Sequence, residues 1–270
     1  EIHSGRDERA LTPKTIGILI YPPMPLLVER KVARRATLCV SPTRALADKL
    51  KSRWSLESER VHLCPNVFHA NSNLLSVMPD PDSQLITYLG RLELRKGLVE
   101  LATALPIIFQ TIPKAKIQFI GQALPSPVPG MLMDAWLKEV LRPWNDRLQF
   151  VGHIDRNLLP EFFSQSGITV LPSRWENFPN TCLEAMSAGQ AVIGSRHGGM
   201  AEIIKDGFNG RLIDPYDSKE TADVIGSLLA NPQDTTALGA RARDYVLESF
   251  APATLYSLYH DLYREAVSRH

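Results

Sequence analysis

The stretch RWENFPNTCLEAM, residues 174–186, sets two glutamates, Glu176 and Glu184, on either side of a proline. Pro179 has no N–H and a fixed φ, so it suits the first turn of a helix and not its middle. The helix is expected to start at Pro179 or Asn180, which leaves Glu176 in the preceding loop. Glu184 then lies about one and a half turns in, roughly 7 Å along the axis. Between the two carboxylates stand the backbone N–H groups of Asn180 and Thr181 and the positive end of the helix dipole, a ready anion site. A carboxylate repels a phosphate but accepts hydrogen bonds well from hydroxyls, and hydroxyls flank the diphosphate of a nucleotide-sugar. Taken alone, the pair also reads as a helix cap and a surface residue.

A second group of charges stands in GRLELRKG, residues 90–97. It follows an apolar run that reads as a strand, and open α/β sheets bind ligands beyond the carboxyl ends of their strands. Arg91 and Lys96 are therefore placed to meet an anion from the side opposite the helix tip. When a nucleoside diphosphate departs with growing negative charge, two cations and a helix N-terminus stabilise it without a metal. The same octapeptide, alone, reads equally as a basic turn.

The elements that must hold these groups follow from the hydrophobic pattern. From residue 84 short apolar runs alternate with longer amphipathic ones, the signature of parallel strands joined by crossover helices. Strands are expected at 84–89, 116–120, 148–151, 168–171 and 191–194, and helices at 96–110, 131–141, 158–165 and 180–188. After GFNGRLI the chain reads as mostly helical, at 218–230, 235–248 and 252–267. Residues 15–64 hold a smaller fragment of the same style, with strands at 16–20, 38–40 and 61–64 and a helix at 43–53. The polar, proline-containing stretch 67–83 reads as a linker. The expected architecture is one complete doubly wound Rossmann-like domain at 84–250 with an incomplete α/β domain at 1–66.

Composition narrows the function classes. A chain of 270 residues with 44% hydrophobic content can build real cores. Cys39, Cys64 and Cys182 form no CxxC pair and no zinc spacing, so neither a disulfide framework nor a metal site is expected, and a reducing, cytoplasmic setting follows. No apolar run approaches the ~18 residues of a spanning helix, and the start, EIHSGRDERALTPK, lacks the pattern of a signal peptide and reads as an interior cut. Residues 1–66 carry twelve Lys and Arg against seven Asp and Glu. ERKVARR and ADKLKSR hold most of this excess, which reads as a solvated helix face or as a peripheral contact with an anionic membrane. Nucleic acid is not expected, because no aromatic residues interleave with these charges. Asp80-Pro81-Asp82 is formally a DxD but reads as a turn. GSRHGGMAE is not a dinucleotide fingerprint, and His197 and Glu202 within it read as turn and cap residues that could also border a sugar pocket. No Walker or G-x-S-x-G motif occurs.

GRLELRKG, FVGHID at 150–155 and ENFPNTCLEAMSAGQAVIGSRHGGMAEIIKDGFNG at 176–210, in this order and spacing, resemble the donor-binding half of the family 4 retaining glycosyltransferases of the GT-B fold. The segment ERKVARRATLCVSPTRALADKL with VHLCPN resembles the end of that family's N-terminal domain. The resemblance implies a UDP-sugar donor, a carbohydrate or lipid-linked acceptor, front-face displacement with retention, and neither metal nor cofactor. It makes Glu176 the glutamate beside the transferred sugar, Glu184 the one that holds the ribose hydroxyls, and Arg91 with Lys96 the diphosphate clamp. It also places the amides of Asn180 and Thr181 on the phosphates and the backbone of His153 at the base; Gly90 and Phe178 fall inside the same motifs. It makes 252–267 a crossover helix, and it implies that this chain binds donor but transfers little. Many members carry glycine at the position of Pro179, and PNVFH stands here for the usual PNGVD. A non-catalytic sugar-nucleotide-binding module and a nucleotide-sugar epimerase on the same fold are the alternatives.

Overall fold

The computed structural model describes residues 24–268. The strand expected at 16–20 lies outside the described residues. The chain divides into two compact units at Cys64/Pro65, and it re-enters the first unit at Leu258, inside the helix Pro252–Ser268.

In the first unit a helix, Met24–Arg35, precedes strand β1 (Cys39–Ser41), the helix Arg44–Trp54 and strand β2 (Val61–Leu63). The two strands pair in parallel, with Cys39 opposite Val61, so the helix between them is a crossover. Thr43 starts that helix by accepting a hydrogen bond from the Leu46 N–H, and Ser55 ends it in the left-handed conformation. The helix Met24–Arg35 is not among the elements expected from the sequence. Its four basic residues in MPLLVERKVARR dilute the apolar periodicity that would signal it.

The second unit carries six parallel strands. They are β3 (Leu85–Leu89), β4 (Lys116–Ile120), β5 (Leu148–Gly152), β6 (Ile168–Leu171), β7 (Ala191–Ser195) and β8 (Arg211–Ile213), in the order β5-β4-β3-β6-β7-β8. The chain winds outward from β3 to β5, returns to lay β6 against the other side of β3, and winds outward again to β8. Alternate residues serve two cores, as the pleat demands. Ile86, Tyr88, Ile117, Phe119 and Val170 pack with the helices Leu98–Thr111 and Ser218–Leu229. Leu89, Ile120, Leu171 and Val192 pack with the helices Asn180–Ser187 and Pro232–Ser249. With both faces covered, polar residues inside the strands must find partners. Gln118 donates to Thr87 Oγ1 at 2.8 Å, Thr87 and Ser166 share a hydrogen bond of 2.7 Å, and Gln190 accepts from Ser166 and Thr169.

One strand was not expected and two expectations need correction. β8 is the RLI that ends GFNGRLI, and it went unseen because a three-residue edge strand is too short to display its period. The helix expected from residue 96 begins at Leu98: Leu94–Lys96 is a 3-10 turn, and Gly97, with φ +74°, separates the two. The helix expected at 158–165 is a 3-10 turn, Arg156–Leu158, followed by the short helix Leu159–Phe163. The formal DxD is an Asx turn, as expected, with the Asp82 N–H donating to Asp80 Oδ1 at 3.1 Å.

Candidate functional site

The return from β5 to β6 makes the gap between β3 and β6 the switch point of the sheet, where the connections leave in opposite directions and open a crevice at the strands' carboxyl ends. The two motif loops exit there. GRLELRKG leaves β3, and the loop carrying Glu176 leaves β6. The sheet thus brings together residues 80 positions apart: Lys96 Nζ stands 2.6 Å from Glu176 Oε1.

Each loop is fixed by short-range physics. Gly90 adopts φ +146°, and the Tyr88 hydroxyl donates to the Arg91 carbonyl at 2.9 Å. Gly97 is required for close approach, since a Cβ there would lie 1.7 Å from the Pro172 carbonyl oxygen. The Arg174 N–H donates to the Arg95 carbonyl at 2.9 Å, and the Arg174 guanidinium grips Glu100 at 2.6 Å. The Glu176 carbonyl accepts from the Gly199 N–H at 2.7 Å, which ties the GSRHGG turn to the same loop.

The charges form a mesh. Glu176, 8% exposed, faces Lys96 and also Arg95 at 3.4 Å; Arg95 donates to the Trp175 carbonyl at 3.1 Å. Glu93 holds Arg91 at 3.1 Å and Arg95 at 3.2 Å. Three cations thus meet two carboxylates, a surplus of positive charge beside the tip of the helix Asn180–Ser187. Pro179 caps that helix as expected. Cys182 and Leu183 turn their N–H groups back to its carbonyl, while the N–H groups of Asn180 and Thr181 lie in the first turn, which offers no acceptor within the helix. Burial, with the negative charge of Glu176 as the smaller cause, pushes the Tyr88 hydroxyl and the Cys182 thiol well up.

Glu184 lies on the same helix, 6% exposed, with Arg156 on its Oε1. Burial raises its carboxyl above the usual range, and Arg156 opposes that shift. A raised carboxyl pKa makes the folded state lose stability as pH rises from about 4.5 through the raised value. Glu184→Gln removes this titration. The variant is expected to melt higher than the parent at neutral pH without added nucleotide, with the gain fading to nothing below about pH 4. A melting difference independent of pH between about 4 and 8 would show that desolvation of Glu184 is not its source.

The remaining expected residues lie outside this mesh. His153 is exposed in the loop after β5, and Arg156, three residues on, carries that loop to Glu184. Phe178 is half-buried and packs edge-on against Phe250 at 5.5 Å, within the core under the helix. His197 Nε2 stands 3.2 Å from Asp214 Oδ1, beyond the ends of β7 and β8. Glu93 and Arg95 of the mesh, and Arg156 on Glu184, escape sequence reasoning. Arg95 had a signal, its place beside Lys96 in a charged turn. Arg156 had none, being 28 residues from its partner.

A family described as "Glycosyl transferases group 1" matches residues 77–245. Among curated proteins, the chain is 26% identical over 259 residues to D-inositol 3-phosphate glycosyltransferase of Xylanimonas cellulosilytica, covering 89% of this chain and 60% of that protein. It is 25% identical over 270 residues to alpha-D-kanosaminyltransferase of Streptomyces kanamyceticus, covering 96% of this chain and 66% of that protein. The chain thus spans less than two thirds of these relatives. Among solved structures, sucrose-phosphate synthase from Thermosynechococcus elongatus superposes with a TM-score of 0.74 at 26% identity, over 91% of this chain and 62% of the other. HepE of Anabaena, in complex with UDP and glucose, shares the fold with a TM-score of 0.74 at 20% identity, over 92% of this chain and 68% of the other.

Proposed function

Since the chain belongs to the group 1 glycosyl transferases, we propose that it serves transfer of a sugar from a UDP-sugar to a hydroxyl acceptor, with retention at the anomeric carbon and without a metal. Its fold is α/β of the GT-B type. The observation that carries the reading is the Lys96–Glu176 contact at the sheet switch point, one loop from a helix tip whose first N–H groups have no acceptor within the helix.

In this reading the diphosphate lies on the amides of Asn180 and Thr181, and Lys96, Arg95 and Arg91 face it. As the glycosidic C–O bond breaks, negative charge grows on the departing diphosphate, and these fixed donors stabilise it without reorganising. Glu176 accepts from a hydroxyl of the transferred sugar, which holds the anomeric carbon toward an acceptor oxygen arriving on the leaving-group face. Glu184 accepts from the ribose hydroxyls, and the backbone of the His153 loop meets the base. The acceptor is a carbohydrate or a lipid-linked saccharide.

The test is a thermal-shift panel of UDP-, GDP- and ADP-sugars followed by product analysis. A ligand that binds only the folded state raises Tm by an amount set by concentration over affinity. UDP-sugars should give the largest shift, and an α-linked donor should yield an α-linked product. No shift with any nucleotide-sugar, or an inverted product, would overturn the reading.

We also propose peripheral contact with an anionic membrane at its cytoplasmic face. Support comes from the helix Met24–Arg35, which combines Arg30, Lys31, Arg34 and Arg35 with exposed Leu27, Val28 and Val32. No described helix is long and apolar enough to cross a membrane. The chain should sediment with vesicles containing phosphatidylglycerol and not with pure phosphatidylcholine. Binding should fall several-fold between about 0.05 and 0.3 M salt, and equal binding to both vesicles would exclude the contact.

A further inference from the structure

Glu184 is engaged before any hydroxyl reaches it. The Arg156 guanidinium sits on its Oε1, and the two partners differ sharply in exposure: the Arg156 side chain is 72% exposed and that of Glu184 only 8%. A carboxylate takes a vicinal diol best by accepting one hydrogen bond on each oxygen, and Arg156 occupies one of the two. An ion pair with one partner largely in solvent is weak and yields readily to a competing ligand. Four residues separate Glu184 from the start of its helix, about 6 Å along the axis, within the span of an arginine side chain. Across the crevice, Arg91, Arg95 and Lys96 are already shared with Glu93 and Glu176, so their free positive charge is small against a diphosphate.

We propose that Arg156 exchanges partners when nucleotide binds. It releases Glu184 to the ribose hydroxyls and turns to the diphosphate at the helix tip, so that the loop after β5 supplies a further cation to the clamp. The inference rests on the nucleotide-sugar reading above and adds to it a positioning residue that binds differently in the two states. A planar guanidinium suits both partners, because it forks onto carboxylate and phosphate oxygens alike.

The exchange makes opposite predictions for a nucleoside with and without its phosphates. Uridine must displace Arg156 and gains nothing from it, whereas UDP displaces it and regains it. Titration calorimetry of UDP and uridine against the parent chain and Arg156→Gln should show UDP weakened about fivefold or more and uridine tightened about twofold. Arg156→Lys, which keeps the charge and loses the fork, should recover part of the UDP affinity. The residue is exposed, and a cooperative melting transition verifies that the variant folds. If both ligands change by the same factor, or neither changes, Arg156 only covers the carboxylate or does nothing, and the exchange is overturned. If the parent chain binds neither uridine and UDP nor the matching adenosine and guanosine pairs, the nucleotide-sugar reading fails and the inference with it.

Discussion

Glu176→Gln is expected to reduce sugar transfer by the whole enzyme about 10²- to 10³-fold in kcat, while UDP affinity changes by less than about threefold. The amide keeps the shape of the carboxylate and removes its charge. In the proposed reading a sugar hydroxyl then donates to a neutral acceptor, and the charge-assisted hydrogen bond that would fix the anomeric carbon is lost. Lys96 and Arg95 lose their anionic neighbour at 2.6 and 3.4 Å, and more of their charge becomes available to the diphosphate, although Glu93 still holds Arg95, so nucleotide binding does not suffer. A fall in kcat with nearly constant affinity marks a group that acts on the transition state, and steady-state kinetics beside UDP titration measures both. Loss of UDP binding in parallel with activity would assign Glu176 to simple charge support of the loops. A sugar-nucleotide-binding module would have no transfer to lose, and an epimerase would convert donor with no acceptor present.

Gly97→Ala is expected to destabilise the Pro65–Ser257 unit by about 4 kcal/mol or more, lowering Tm by roughly 10 °C. Two costs combine. Gly97 sits at φ +74°, where a Cβ costs about 1–2 kcal/mol by itself. The added atom would also lie 1.7 Å from the Pro172 carbonyl oxygen and 2.7 Å from its carbon, and neither belongs to a flexible side chain. The loop after β3 must then part from the loop after β6, which stretches the Lys96–Glu176 contact. Gly207→Ala separates the two costs: its φ is +75° and no atom lies within 4 Å of where the added methyl would stand, so only the backbone penalty of about 1–2 kcal/mol remains. Equal melting losses in the two variants would show that the approach to Pro172 is not what requires a glycine.

Much of this is legible without any coordinate. Alternating apolar runs specify parallel strands and crossover helices because the signal is repeated inside each segment. The helix beginning at Asn180 follows from one residue, since a proline has few places to stand. The two glutamates, the basic turn and their order along the chain suffice to name a family, because joint spacing is far more specific than any single motif. Gly97 is in view as a motif letter, but the contact that makes it necessary is not.

What the amino-acid sequence determined by itself, then, was the local grammar: where strands and helices run, which loop bears each charge, and which ligand chemistry those charges suit. The tertiary structure alone decided the partners. Lys96 reaches Glu176 across 80 residues, Arg156 reaches Glu184 across 28, Phe178 turns to Phe250, and RLI becomes an edge strand because β7 is there to pair with it. The physical reason is range. Propensity, capping and periodicity act within a few residues, whereas a salt bridge between loops exists only after the sheet order β5-β4-β3-β6-β7-β8 has set β3 beside β6.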